Sequence, residues 1–164
     1  MHLKLPIMKK YILLFVLLLS LGICTASAQS TPAVKWRSFV KMTSPTEGVL
    51  TIKAIIADGY HIYGTKANAN SGPRPTSFDF KASTGIRFIG DFKPSVKAAT
   101  VFDKAFNTKL EMWSGTVTFT RKFRVTDAKN AIVTGQISYM ACNGASCMPP
   151  KKESVRLTVP QFKK

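Results

Sequence analysis

Two cysteines five positions apart, in the stretch Cys142-Asn-Gly-Ala-Ser-Cys147, carry the most reactive side chains of the sequence. A thiol pair at this spacing can close into a disulfide, exchange with other thiols, or bind a soft metal. As a staple it would contribute little. In the chain-entropy account a loop this short is worth about 2 kcal/mol before strain. Short or exposed disulfides tend to have the more oxidising potentials and to be the labile ones. Asn143, Gly144, Ala145 and Ser146 are small or polar and leave the sulfurs reachable, while Lys151 and Lys152 follow closely. Nearby positive charge lowers a thiol pKa and raises the fraction of attacking thiolate. Two other readings stay open on these residues. One is a structural disulfide in an inert interaction module. The other is a Cu(I) carrier, because Met140 and Met148 add soft sulfur beside the cysteines. A zinc site is poorly supported, since His61 is the one histidine beyond the N-terminal segment. No phosphate-cradling glycine loop, nucleophile elbow, metalloprotease helix motif or Cys-x-x-Cys occurs, so no cofactor is expected.

The compartment follows from the N-terminus. Lys9 and Lys10 precede an apolar run from Tyr11 to Ile23, and Ala26-Ser27-Ala28 forms a small-residue cleavage site. This is the layout of a secretory signal peptide over residues 1–28, too short an apolar run for a good membrane span. Cys24 invites a lipoprotein reading, but bulky Ile23 before it argues against that processing. Residues 29–164 then form one exported domain, with no stable membrane insertion expected after cleavage. Cys142 and Cys147 are its two cysteines, and an oxidising compartment lets them pair. The sequence holds 24 Lys and Arg against 8 Asp and Glu. Three of the bases precede the cleavage site, so the exported part carries about +13. The bases are scattered along strand-like segments. They read either as a solvated surface or as steering toward an acidic partner or membrane surface. No basic-aromatic motif suggests nucleic acid as a partner.

The elements that hold the pair are strands. Apolar residues alternate with polar ones at Val34-Trp36-Val40, Leu50-Ile52-Ala54-Ile56, Phe78-Phe80, Val117-Phe119-Phe123-Val125, Ile137-Tyr139 and Val155-Leu157-Val159. Turn signals such as Ser44-Pro45, Asp58-Gly59 and Ser114-Gly115 separate them. The pattern predicts an all-β fold, an immunoglobulin-like β-sandwich. The long polar stretch Tyr63 to Thr76 does not fit a plain sandwich. Neither does Phe92 to Met112, about twenty residues without clear strand pattern, expected to be a mobile lid or cap loop.

The segment Tyr139-Met-Ala-Cys142-Asn-Gly-Ala-Ser-Cys147-Met-Pro149-Pro150, together with Asp58-Gly59-Tyr60-His61-Ile62-Tyr63, resembles the N-terminal periplasmic domain of DsbD, a membrane protein that carries reducing equivalents across the inner membrane. The resemblance runs from about Trp36 to Val159. It implies an immunoglobulin-like domain in the periplasm whose redox-active disulfide, Cys142–Cys147, takes part in thiol–disulfide exchange as in a protein-disulfide reductase. It implies thioredoxin-like redox proteins as partners, with electrons passing on to disulfide isomerases or cytochrome c maturation proteins. It also implies a cap aromatic over the sulfurs, falling on Phe106 with Phe102 as the fallback. Its active-site tyrosines fall on His61 and Tyr63, and Tyr139 opens the cysteine motif. Cys147 is the cysteine expected to meet the partner and Cys142 the one to resolve. The cysteines here sit one residue closer than in the best-studied members, and His61 replaces a tyrosine. The sequence carries neither the family's membrane part nor its terminal thioredoxin-like domain. A free-standing shuttle served by a separate membrane electron-donor protein is therefore expected.

Overall fold

The computed structural model describes residues 32–66 and 72–162. The expected signal peptide, Cys24 and the middle of the Tyr63–Thr76 stretch lie outside them. The elements are β1 (Val34–Met42), β2 (Glu47–Ile56), β3 (His61–Tyr63), β4 (Ser77–Asp79), β5 (Ile86–Pro94), β6 (Ala99–Asp103), β7 (Thr108–Trp113), β8 (Thr116–Val125), β9 (Ile132–Tyr139), β10 (Ala141–Cys142) and β11 (Lys151–Thr158). They pair antiparallel in three hydrogen-bonded groups, β1-β2-β8-β5, β10-β3-β7-β6 and β11-β9-β4. The sheets pack face to face, giving the all-β, immunoglobulin-like sandwich that the alternation predicts.

Period two decides which side chains enter the core. In β2, Leu50, Ile52, Ala54 and Ile56 are buried while the residues between them are partly exposed. Phe119 and Phe123 do the same from β8. Burying a side chain of this size contributes about 1.5–3 kcal/mol. Trp36 stacks edge-on with Tyr139 at 5.2 Å and lies 6.5 Å from Phe119, joining the first sheet to the third. Trp113 meets Phe119 edge-on at 5.0 Å and joins the second sheet to the same core.

One expectation is corrected. Phe92 to Met112 is not a structureless lid: it forms the end of β5 and the hairpin β6–β7, leaving a turn at residues 104–107. Alternation fails there because the hairpin lies at a sheet edge and buries little, so no apolar side was selected. The four residues of β6 from Ala99 to Phe102 are all exposed. In β5 the register shifts between Ile89 and Lys93, at Gly90, whose φ of 63° favours a residue without Cβ.

Candidate active site

The second sheet has two chemically different faces. Ile62 of β3, Trp113 of β7 and Ala141 of β10 point into the main core. Their chain neighbours point the other way. Tyr63, Met112, Met140 and Cys142 form a separate small cluster, with Phe106, Leu110 and Cys147 packed against it. The register sets Cys142 opposite His61 and Tyr63 opposite Met112. Strand alternation alone thus brings the cysteine of β10 beside the aromatic pair of β3.

Cys142 and Cys147 are joined in a disulfide with their Cα atoms 4.1 Å apart. Cys142 is 2 % exposed, whereas Cys147 is only partly buried. The loop between them holds its own shape. The Asn143 side-chain oxygen accepts from the backbone N–H of Ala145 (3.2 Å) and Ser146 (2.9 Å), and Asn143 N–H donates to the Ser146 carbonyl (3.0 Å). Gly144, at φ 79°, supplies the left-handed turn. Met148 N–H returns to the Ala141 carbonyl at 2.8 Å. A cleft of about 280 Å³ opens between this loop and the end of β6. Both cysteines line it, with His61, Met112, Asp103 and Lys104.

One side chain reaches the exposed end of the disulfide, and two more stand behind it. The hydroxyl of Tyr63 lies 3.8 Å from the Cys147 sulfur and donates to the Asp103 carboxylate at 2.7 Å. The other oxygen of Asp103 accepts from the N–H of Ala105 (2.8 Å) and Phe106 (3.2 Å), so one buried acid anchors both the turn and the tyrosine. His61 Nε2 stands 3.7 Å from the same carboxylate. That is too long for a hydrogen bond, and the buried Nε2 has no hydrogen-bond partner among the described residues. Thr76 fixes the tyrosine from behind, its hydroxyl donating to the Tyr63 carbonyl at 2.6 Å.

These contacts set the protonation states. Burial, reinforced by the bond to Asp103, holds the Tyr63 hydroxyl protonated far above its ordinary range. Burial pushes Asp103 up, but the bonds from Tyr63, Phe106 and Ala105 and the nearby His61 together outweigh it, so the carboxyl titrates below its usual value. Burial lowers His61, against the pull of Asp103, so the imidazole is neutral at neutral pH. The arrangement sets beside a sulfur a hydroxyl whose proton is committed to a carboxylate, so that its oxygen is free to accept from a thiol.

Of the residues singled out from the sequence, Cys142, Cys147, His61, Tyr63 and Phe106 come together. Phe106 meets the Tyr63 ring edge-on at 5.9 Å, and His61 does so at 5.1 Å. Phe102 lines the cleft but is 54 % exposed, since it alternates with inward-turned Asp103 on β6. Tyr139 lies in the main core against Trp36, because it sits one strand position from Met140 and three from Cys142. Met140 joins the cysteine cluster while Met148 packs on the main core. Asp103 was missed. The available signal was an acid before Lys-Ala-Phe-Asn, the signature of an Asx turn, within a stretch that shows no strand pattern.

The sequence profile of the family described as "Thiol:disulfide interchange protein DsbD, N-terminal" matches residues 29–159. Among solved structures, the N-terminal periplasmic domain of ScsB from Proteus mirabilis superposes with a TM-score of 0.57 at 14 % identity, covering 81 % of this chain and 49 % of that one. The chain therefore spans about half the length of that structure. The reduced N-terminal domain of DsbD from Neisseria meningitidis gives a TM-score of 0.49 at 15 % identity, over 75 % of this chain and 84 % of that one. No curated protein matches.

Proposed function

Because the chain belongs to the family of DsbD N-terminal domains, we propose that it is an exported redox shuttle that passes reducing equivalents between thioredoxin-like partners through Cys142 and Cys147. One observation carries this reading. The disulfide lies on a cleft wall with one sulfur buried and the other partly exposed beside the Tyr63 hydroxyl. A staple needs no such asymmetry, whereas exchange does, because only one sulfur should meet the partner.

Loading begins when a thiolate of the reduced donor attacks the Cys147 sulfur. A disulfide forms between the proteins, and the Cys142 sulfur leaves as a thiolate and takes up a proton. The donor's second thiolate then attacks its own half of the mixed disulfide. Cys147 leaves and takes a proton, with the Tyr63 hydroxyl 3.8 Å away to receive it in a hydrogen bond. Two electrons have moved: the donor is a disulfide and the shuttle a dithiol. Delivery to an oxidised acceptor reverses the sequence, with Cys147 attacking and Cys142 resolving. The donor in this scheme is a membrane electron-donor protein, the acceptors are exported thioredoxin-like proteins, and the site of action is the periplasm.

The test combines a potential with a trap. Equilibration with glutathione buffers should give a potential above about −300 mV, the level below which structural disulfides typically fall. The reduced protein should stay folded. Cys142→Ser should accumulate mixed disulfides with exported thioredoxin-like proteins, and Cys147→Ser should not. A potential below that level, with unfolding on reduction, would make the pair a staple.

A further inference from the structure

An edge strand with unpaired N–H and C=O groups can template pairing with another chain, and proteins blunt such edges with charge, bulges, proline or brevity. The three sheets have six edges among the described residues: β1, β5, β10, β6, β11 and β4. β1 carries Lys35, Arg37 and Lys41 on its exposed positions. β5 is bulged at Gly90 and carries Arg87 and Lys93. β11 carries Lys151, Lys152, Glu153 and Arg156. β4 has three residues and β10 two. β6 alone is undefended. Ala99, Thr100, Val101 and Phe102 are exposed and uncharged, and its one acid, Asp103, is turned inward onto Tyr63.

Exposed apolar side chains gather at this edge. Val96 just before β6 is 51 % exposed, Val101 45 % and Phe102 54 %. The edge is also continuous with the disulfide cleft, since Val101, Phe102, Asp103 and Lys104 line it together with both cysteines. Asp103, the last residue of the strand, and the Cys147 sulfur both touch the Tyr63 hydroxyl. A segment paired along β6 would therefore end beside the reactive sulfur. Half-buried Glu111 stands opposite Thr100 across the hairpin, but the fully exposed charges around the strand are positive. Exposed Lys97 and Lys104 bracket the strand, and exposed Lys109 stands opposite Phe102 across the hairpin.

Building on the exchange function proposed above, we infer that the free edge of β6 docks the redox partner by β-strand addition, accepting an extended, acidic segment of that partner. Backbone hydrogen bonds to β6 align the segment, Val101 and Phe102 give it apolar contact, and the three lysines select negative charge. The site thus recognises its partner through an edge strand and not only through the cleft.

The probes are glutathione and three short peptides, each ending in one cysteine. One alternates glutamate with valine, its twin carries proline in place of two valines, and a third alternates lysine with valine. The measurement is the rate at which each thiol opens the Cys142–Cys147 disulfide of the folded protein. The glutamate–valine peptide should react about tenfold faster than its proline twin, which cannot add as a strand, and faster than the lysine peptide. In the double variant Val101→Glu, Phe102→Glu the advantage over the proline twin, which carries the same charge, should vanish, and a circular dichroism spectrum like that of the wild type shows the variant folded. Equal rates for the glutamate peptide and its proline twin, or an advantage that survives in the variant, overturn strand addition. A lysine peptide as fast as the glutamate peptide overturns the acidic partner. If glutathione fails to open the disulfide at all, exchange itself falls and the docking edge with it. If glutathione opens it but the peptides do not differ, the edge alone falls.

Discussion

Replacing Asp103 by Asn should make the Cys147 thiol more acidic in the reduced domain. The carboxylate lies 2.7 Å from the Tyr63 hydroxyl, which lies 3.8 Å from the Cys147 sulfur. A thiolate on Cys147 would face a negative charge no farther away than those two steps together. At about 6 Å and an effective dielectric of about 20, two unit charges repel by about 3 kcal/mol. The cleft is open and Cys147 is partly exposed, so solvent screening leaves about half of that, or about one pKa unit. The acid should therefore favour the protonated thiol in the reduced domain, through a chain in which sulfur donates to the tyrosine and the tyrosine to the carboxylate. Asn retains an oxygen for the N–H groups of Ala105 and Phe106, so the turn should survive. The assay is the pH dependence of iodoacetamide alkylation in a Cys142→Ala background, where Cys147 alone reacts. Asp103→Asn should move the midpoint down by about one unit and speed alkylation near pH 7 by up to about tenfold. A midpoint that stays in place, or rises, would refute the electrostatic reasoning.

Two further substitutions can be read from the same geometry. Phe106→Ala removes the half-buried ring that packs on Tyr63 and the cysteine cluster. It should lower stability by about 2 kcal/mol and speed alkylation of the reduced cysteines, read by a urea midpoint and a thiol-trapping time course. His61 titrates below 6.5 because of its burial, so the wild-type alkylation profile should show an inflection on the acid side of that value, where imidazolium begins to offset Asp103. Its lowered folded pKa also means that stability is lost as pH falls from 6.5 through that pKa, and His61→Gln should remove both effects.

The legibility of this protein divides along its two cores. Strands that face the main core were readable because burial imposes period two: Leu50 to Ile56 and Val117 to Val125 alternate as their exposures do. The cysteine pair and the aromatic stretch at His61 and Tyr63 were readable as chemistry. The hairpin β6–β7 was not, because an edge strand that buries one residue in five has no pattern to display. Asp103 disappeared with it. An acid is ordinarily a surface residue, and nothing local tells that this one folds inward onto a tyrosine forty positions earlier. Tyr139 illustrates the opposite hazard. It stands beside the cysteine motif in sequence, yet strand alternation turns it to the main core against Trp36.

That same division explains how a disulfide can be made and broken in a domain that must stay folded. Reduction removes a cross-link worth about 2 kcal/mol by loop entropy. The loss falls on a small cluster rather than on the main core, to which Cys142 contributes nothing because its strand neighbour Ala141 faces that way instead. The loop also has hydrogen bonds of its own besides the sulfur bond. Asn143 holds Ala145 and Ser146, Gly144 makes the turn, and Met148 is tied back to Ala141. On the other side of the cleft, Asp103 pins Tyr63 and the turn that carries Phe106. None of these hydrogen bonds uses a cysteine sulfur, so both walls should keep their shape when the disulfide is reduced. In the exchange proposed above, the change on reduction should then be confined to two sulfurs, their protons and the hydroxyl of Tyr63, so that a partner could read it without the fold being rebuilt at each turnover.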